Sequence, residues 1–275
     1  MKHSLFAGIL LSSMALTLAA GAVGCSDDES TAVNPGGDAA KDTAPSSDVR
    51  GDQSADTGTT DTGTIDTGTD AAPVERCTAA KEQLLKPIDS VSTGDVTVYA
   101  TSGSTQSIYV NASAGGLPSQ DQNPRIYIKL PSSKAAVTDK SAWSSTGWDL
   151  ALKREVIFTN SGDSGQGQGS AVFLAGKAYE EVTQADAQGK TFASENFFND
   201  DCTPKLDANS KVRTTFSDWY DYNPATHTLA PKAGTWLVKS AAGTLFKLQI
   251  LSYYSSPDGG VGSAGGHFTL KVEAL

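Results

Sequence analysis

The chain has 275 residues and a formal net charge of −10, too long for a disulfide-stapled miniprotein and short enough for one or two domains. The charge is unevenly spread: residues 26–76 hold ten Asp, two Glu and three basic residues, whereas residues 77–275 hold 17 basic and 19 acidic ones and are nearly neutral. No nucleic-acid face is expected, because that needs a surplus of Lys and Arg on one surface, and after the N-terminus no apolar run reaches the roughly 20 residues of a membrane span.

Residues 1–24 read as a lipoprotein signal peptide. Lys2 and His3 precede an apolar run from Leu5 to Ala20, and small residues follow at Gly21, Ala22 and Gly24, in the order of the charged, apolar and cleavage segments of an export signal. The segment closes on Ala22-Val23-Gly24-Cys25. This resembles the bacterial lipoprotein box, with Ala22 where Leu is usual, and implies that Cys25 is acylated, with palmitate-type chains, and becomes the new N-terminus. Ser26 in place of Asp after the cysteine resembles lipoproteins sorted to an outer membrane. Each buried acyl methylene contributes ~0.8 kcal/mol, so several chains anchor a protein firmly. The alternative is an ordinary export signal with an unmodified Cys25.

The stretch from Cys25 to residue 76 reads as a disordered linker. Residues 26–76 lack Phe, Trp and Tyr and consist mainly of Asp, Thr, Gly, Ala, Ser and Pro, which cannot bury enough apolar surface to offset the entropy of ordering. Copies of Asp-Thr-Gly-Thr begin at Asp56, Asp61 and Asp66. The triplet mimics an aspartic-protease signature, but that chemistry needs its Asp on a packed apolar loop so that two carboxylates share a proton, and no apolar strand flanks these copies. The segment is a solvated, charge-extended spacer spanning about 40 Å as a flexible coil.

Residues 77–275 read as one antiparallel β-rich domain, an all-β fold. Runs rich in β-branched and aromatic residues, bounded by Gly, Ser, Asn and Pro, predict strands over 96–101, 107–111, 125–130, 148–152, 155–159, 171–174, 235–240, 245–253 and 266–273. Ala241-Ala242-Gly243-Thr244 between two of them is a hairpin signal. In the last strand Phe268, Leu270 and Val272 alternate with His267, Thr269, Lys271 and Glu273, as in a strand with one face in the core and one in solvent. Short helices are predicted over 78–85 and 178–185. Cys77 and Cys202 are the thiols left once Cys25 is acylated. An exported chain meets an oxidising compartment, so a disulfide between them is expected, the alternative being two unpaired cysteines.

Catalytic patterns fail individually. Gly162-Asp163-Ser164-Gly165 resembles a serine-protease nucleophile loop, but in that order the base His precedes the Ser, whereas His227 and His267 follow it. The glycine-rich 162–169 stretch lacks the Gly-Lys-Ser/Thr of a phosphate-binding loop. Asp200, Asp201, Asp207 and Asn209 lack calcium-loop spacing, and no His, Cys and Glu cluster has zinc-ligand spacing. No enzyme is expected.

Several motifs, taken in order, resemble the HmuY-like haem-binding lipoproteins of bacterial outer membranes. They are Trp148-Asp149-Leu150-Ala151-Leu152-Lys153-Arg154, then Val156–Asn160 and the glycine-rich 161–170 stretch; Trp219-Tyr220-Asp221-Tyr222-Asn223, leading through Thr226-His227-Thr228-Leu229 to Pro231-Lys232; Trp236–Lys239 with Gly243–Tyr254; and His267–Val272. The likeness covers about residues 95–273. It implies an HmuY-like β domain that captures haem as a lipid-anchored outer-membrane protein, periplasmic or surface-exposed, with a haem-carrying protein or an outer-membrane receptor as partner.

The resemblance also implies iron held between two axial His or Met side chains on edge loops. Here both methionines, Met1 and Met14, lie in the signal, which leaves His227 and His267 as haem-ligand candidates. His227 lies in a turn-rich segment between two motifs and is the better of the two. His267 lies within the closing strand, so two-histidine ligation needs an unusual geometry or a substitute such as Tyr. The alternative function is a surface-anchored, non-enzymatic binding module that keeps the fold and has lost haem ligation.

Overall fold

A computed structural model describes residues 74–275. The export signal, Cys25 and the acidic linker up to residue 73 lie outside the described residues. The chain runs through helix α1 (Thr78–Leu85), strands β1 (Val96–Ser102), β2 (Thr105–Asn111), β3 (Ile126–Lys129), β4 (Ser133–Lys134), β5 (Leu150–Lys153), β6 (Val156–Thr159) and β7 (Ser170–Ala175). It continues through β8 (Tyr220–Asn223), β9 (Thr228–Pro231), β10 (Gly234–Lys239), β11 (Leu245–Ser252) and β12 (His267–Ala274). No described helix is long and apolar enough to cross a membrane.

All strand pairs are antiparallel. Six strands form one sheet in the order β1-β2-β12-β11-β10-β7, four form a second in the order β4-β3-β5-β6, and β8 and β9 form a separate hairpin. Period-two alternation explains how the sheets meet. Ile126 and Ile128 of β3, Leu150 and Leu152 of β5, Ile108 and Val110 of β2, Leu248 and Ile250 of β11 and Phe268, Leu270 and Val272 of β12 share one buried cluster. The intervening Tyr127, Ala151 and Phe158 face the other side of the small sheet, where Trp148, Phe197, Phe198 and Leu85 of α1 cover them. Both faces of the small sheet are therefore buried, and its strands read as continuous apolar runs for that reason.

Most predicted strands hold within a residue or two. The helix expected over 178–185 does not form: two 3-10 turns, Tyr179–Glu181 and Gln184–Ala187, stand there with extended backbone at Val182 and Thr183. The break places Tyr179 and Val182 in buried positions and lets Thr183 and Asp186 form a capping box on the second turn. The outer face of β12 is also less solvated than expected. Thr269 is buried, its hydroxyl donating to Ser255 at 2.7 Å, because the segment after β11 folds back across it.

Two motifs that carry the sequence pattern are structural clasps. Asp149 is fully buried and accepts from Leu130 N at 2.8 Å, Lys129 Nζ at 3.0 Å and Ala241 N at 2.8 Å, which joins the small sheet to the β10–β11 turn of the large one. Asn160 donates to the carbonyls of Ser145 and Trp148 and accepts from Gly167 N, so the glycine-rich segment wraps around one side chain. Gly162 shows why glycine is needed: its φ is +51° and a β-carbon would lie 2.1 Å from the Glu195 carbonyl oxygen. The Ser164 hydroxyl is buried and bonded to the carbonyls of Thr159 and Ser161, and the Asp163 carboxylate accepts from Phe197 N and Phe198 N. These two side chains serve the loop's own architecture.

Cys77 and Cys202 form a disulfide with Cα atoms 5.4 Å apart across 125 residues of sequence. It ties the start of α1 to the loop after Phe198, over the outer face of the small sheet.

Glu195, beneath the glycine-rich loop, is buried without a cationic partner among the described residues. It accepts from the backbone and hydroxyl of Thr159 at 2.8 and 3.1 Å and of Thr215 at 3.0 and 2.6 Å. Desolvation outweighs these bonds and pushes its carboxyl up to about 7 from 4.5. The folded state therefore holds a proton that the unfolded state releases above pH 4.5. The stabilisation is complete below that pH and is lost as pH rises through 7, with an amplitude of about 3 kcal/mol. Urea unfolding from pH 4.5 to 8 is expected to show this decline, and Glu195→Gln is expected to flatten it; a wild-type curve rising over the same range would contradict the assignment.

Candidate functional site

His227 closes the β8–β9 hairpin. Asn223 opens the turn by accepting from Ala225 N and Thr226 N, an Asx turn that reverses the chain over Pro224. The reversal ends at His227, whose φ of 54° is left-handed, a conformation that His tolerates better than most side chains. Across the hairpin Tyr222 pairs with Leu229 and Tyr220 with Pro231, so Tyr220 and Tyr222 share one face. The Tyr222 hydroxyl lies 2.7 Å from His227 Nδ1. When Nδ1–H donates to that oxygen, Nε2 keeps a free lone pair, the arrangement that fixes metal-binding imidazoles.

The hairpin leans on the large sheet through Tyr254, whose hydroxyl accepts from Leu229 N at 3.0 Å. Beneath it lies a shallow cleft of about 350 Å³ lined by His227, four tyrosines (220, 222, 253 and 254), Leu117 and Leu229, with Arg154, Glu155, Asn209 and Lys211 at one side. Trp219 packs behind Tyr220 and Tyr253 and donates from Nε1 to the Glu155 carbonyl at 2.8 Å. Arg154 lies over the Tyr253 ring at 5.9 Å. The Tyr253 hydroxyl is buried and has no hydrogen-bond partner among the described residues. Burial raises the Tyr253 phenol well above its ordinary value, and burial followed by Glu155 raises that of Tyr220. Both present neutral aromatic surface rather than phenolate oxygen at neutral pH.

His267 stands elsewhere. As the first residue of β12 it pairs with Asn111, and its ring stacks on Tyr109 with Nδ1 2.6 Å from the Tyr109 hydroxyl. Burial, and after it the charge of Arg154, lowers its pKa. Its neighbour Phe268 points into the core, so His267 faces the outer side of the large sheet and does not line the cleft. The structure thus brings His227 to a ligand-sized recess and leaves His267 in a strand-to-strand hydrogen bond.

Of the residues lining this recess the sequence singles out only His227 as a site residue; Tyr222, Tyr253, Arg154 and Lys211 are among those it does not. Tyr222 had a signal, since Tyr220 and Tyr222 at i and i+2 mark one strand face. Arg154 and Lys211 approach the cleft only through tertiary folding.

A family model described as HmuY protein matches residues 121–270, and no curated protein matches. Among solved structures, a candidate HmuY-like haem-binding protein from Bacteroides vulgatus is 16% identical over 65% of this chain and 97% of its own, with a TM-score of 0.43. An apo HmuY analogue from Tannerella forsythia is 15% identical over 68% of this chain and 99% of its own, with a TM-score of 0.42. A candidate lipoprotein from Bacteroides fragilis is 16% identical over 64% of this chain and 94% of its own, with a TM-score of 0.42.

Proposed function

Given that the chain belongs to the HmuY family, we propose that it captures haem in the tyrosine-lined cleft, with His227 as an axial ligand. The observation that carries this reading is the imidazole of His227 over an aromatic recess, its Nδ1 held by Tyr222. The lining fits a porphyrin: flat neutral aromatic walls for the macrocycle and one imidazole for the iron. Haem supplies an iron with open axial positions; the chain's part is to bind, orient and shield it. In the same proposal the protein works as an outer-membrane lipoprotein acylated at Cys25 and exchanges haem with a haem-carrying protein or a membrane receptor.

A second reading draws on the single imidazole in the cleft and the lack of any Met beyond Met14. It is a surface binding module that uses the same recess without ligating iron. Titration of the purified protein with haem separates the two. Under the haem reading a Soret band grows to saturation, His227→Ala weakens affinity at least about tenfold, about 1.4 kcal/mol, and shifts the band, and His267→Ala changes little. Spectra that match simple dilution of haem favour the second reading.

A further inference from the structure

A groove of about 290 Å³ adjoins the tyrosine cleft and shares Arg154, Glu155 and Lys211 with it. It lies between the C-terminal end of α1, the 3-10 turn Gln120–Gln122 and the tight β5–β6 turn. Its walls carry five cations, Lys86, Arg125, Lys153, Arg154 and Lys211, against two carboxylates. Both carboxylates are already engaged, Asp121 with Lys86 at 2.6 Å and Glu155 with Lys211 at 3.1 Å. Arg125 is matched by Asp139 at 3.2 Å. Lys153 and Arg154 are left with no ion pair among the described residues.

The local fold explains why these charges persist. Leu150 and Leu152 of β5 point into the core between the sheets, so alternation sends Lys153 to the opposite face, against α1. There it is 9% exposed. Burial, followed by the repulsion of Arg125, pulls its ammonium down to about 8, and no hydrogen bond contributes to its state. Arg154 follows in a left-handed turn, φ 52°, with one terminal nitrogen held by the Gly265 carbonyl at 2.9 Å. Its Nε is buried and unpartnered, and so is that of Arg125. Those two nitrogens lie beneath the wall, so the groove itself presents the Lys153 ammonium, without an ion pair, beside the Arg154 guanidinium, and a partly buried cation pair without its own counter-charge is the arrangement that an anion completes.

We propose that this groove is an anion site and that it receives the carboxylate groups of the ligand held in the adjoining tyrosine cleft. The identity of that ligand rests on the haem reading: haem is planar with two propionates along one edge, and the groove opens along the Arg154 side of the cleft. Lys153 and Arg154 then fix which edge of the porphyrin enters first, whereas His227 acts on the iron.

The test compares haem with haem dimethyl ester, which lacks both carboxylate charges, in Soret titrations of the wild type, Lys153→Met and Lys153→Arg. The wild type is expected to bind the free acid at least about tenfold more tightly than the ester, Lys153→Met to lose most of that preference, and Lys153→Arg to keep it. Equal wild-type affinities for acid and ester, or an undiminished preference in Lys153→Met, would overturn the anion site and leave the haem reading standing. If neither porphyrin binds, the haem reading fails and inorganic phosphate alone decides the groove. A rise in wild-type melting temperature with phosphate that Lys153→Met lacks supports an anion site there, and no such rise overturns it.

Discussion

Reducing the Cys77–Cys202 bond lowers the unfolding free energy by about 5 kcal/mol. The bond closes a loop of 125 residues, and in the chain-entropy treatment a loop of that length, left open, returns about this much freedom to the unfolded chain. The folded state loses little in direct contact, since Cys77 is only partly buried against the cluster beneath α1. The effect therefore resides mainly in the unfolded ensemble, and the urea m-value rises on reduction because the open chain exposes more surface. Equilibrium unfolding with and without reductant, repeated on Cys202→Ser, measures it. The reduced protein and the Ser variant are expected to agree. A difference below about 1 kcal/mol between oxidised and reduced protein would mean that the unfolded chain keeps the ends of this loop together without the bond.

Asp149→Ala destabilises the fold by about 4 kcal/mol. The side chain is fully buried and satisfies two backbone N–H groups, of Leu130 and Ala241, as well as the Lys129 ammonium. Removing it leaves two buried donors unpaired, each costing about 1–3 kcal/mol. Lys129 adds less, because its side chain is 39% exposed and water can replace the carboxylate. Asp149→Asn keeps the shape and one acceptor oxygen but turns an N–H₂ toward a donor, so about half the loss is expected. Thermal unfolding should register the Ala variant about 10 °C lower. Because Ala241 lies in the β10–β11 turn and Leu130 follows β3, the loss loosens the junction of the two sheets. Amide exchange is expected to accelerate at both sites together; acceleration confined to the β3 side would show that the clasp does not couple the sheets.

Local chemistry made much of this molecule legible. The alternation of Phe268, Leu270 and Val272 predicted which face of β12 enters the core, and those residues are buried there. The Ala241–Thr244 turn predicted the β10–β11 hairpin, whose register pairs Val238 with Phe246. Two cysteines left in a chain whose N-terminus reads as an export signal predicted the disulfide, which joins Cys77 to Cys202. Each signal is complete within a few residues or follows from composition alone. The ordered motifs pointed to the family, and several of their members, Asp149, Asn160 and Glu195's glycine-rich partner loop among them, hold the sheets and loops together.

Other features lay beyond local reading. The β8–β9 hairpin was not predicted as strands, because Tyr220–Asn223 and Thr228–Pro231 are four residues each and the second ends in proline, a residue that cannot donate to a ladder. The helix expected over 178–185 gave way to two 3-10 turns because burying Tyr179 and Val182 outweighs weak helical propensity. The sequence by itself determined the strand-rich fold class, the core-facing side of β12 and the disulfide. Only the tertiary structure decided that β2 lies beside β12 and β7 beside β10, and that Arg154, Lys211, Tyr222 and Tyr253 meet around His227. The physical reason is range: alternation and turn chemistry act between neighbours, whereas the cleft and the unpaired Lys153 arise where segments up to about 140 residues apart in sequence are packed together.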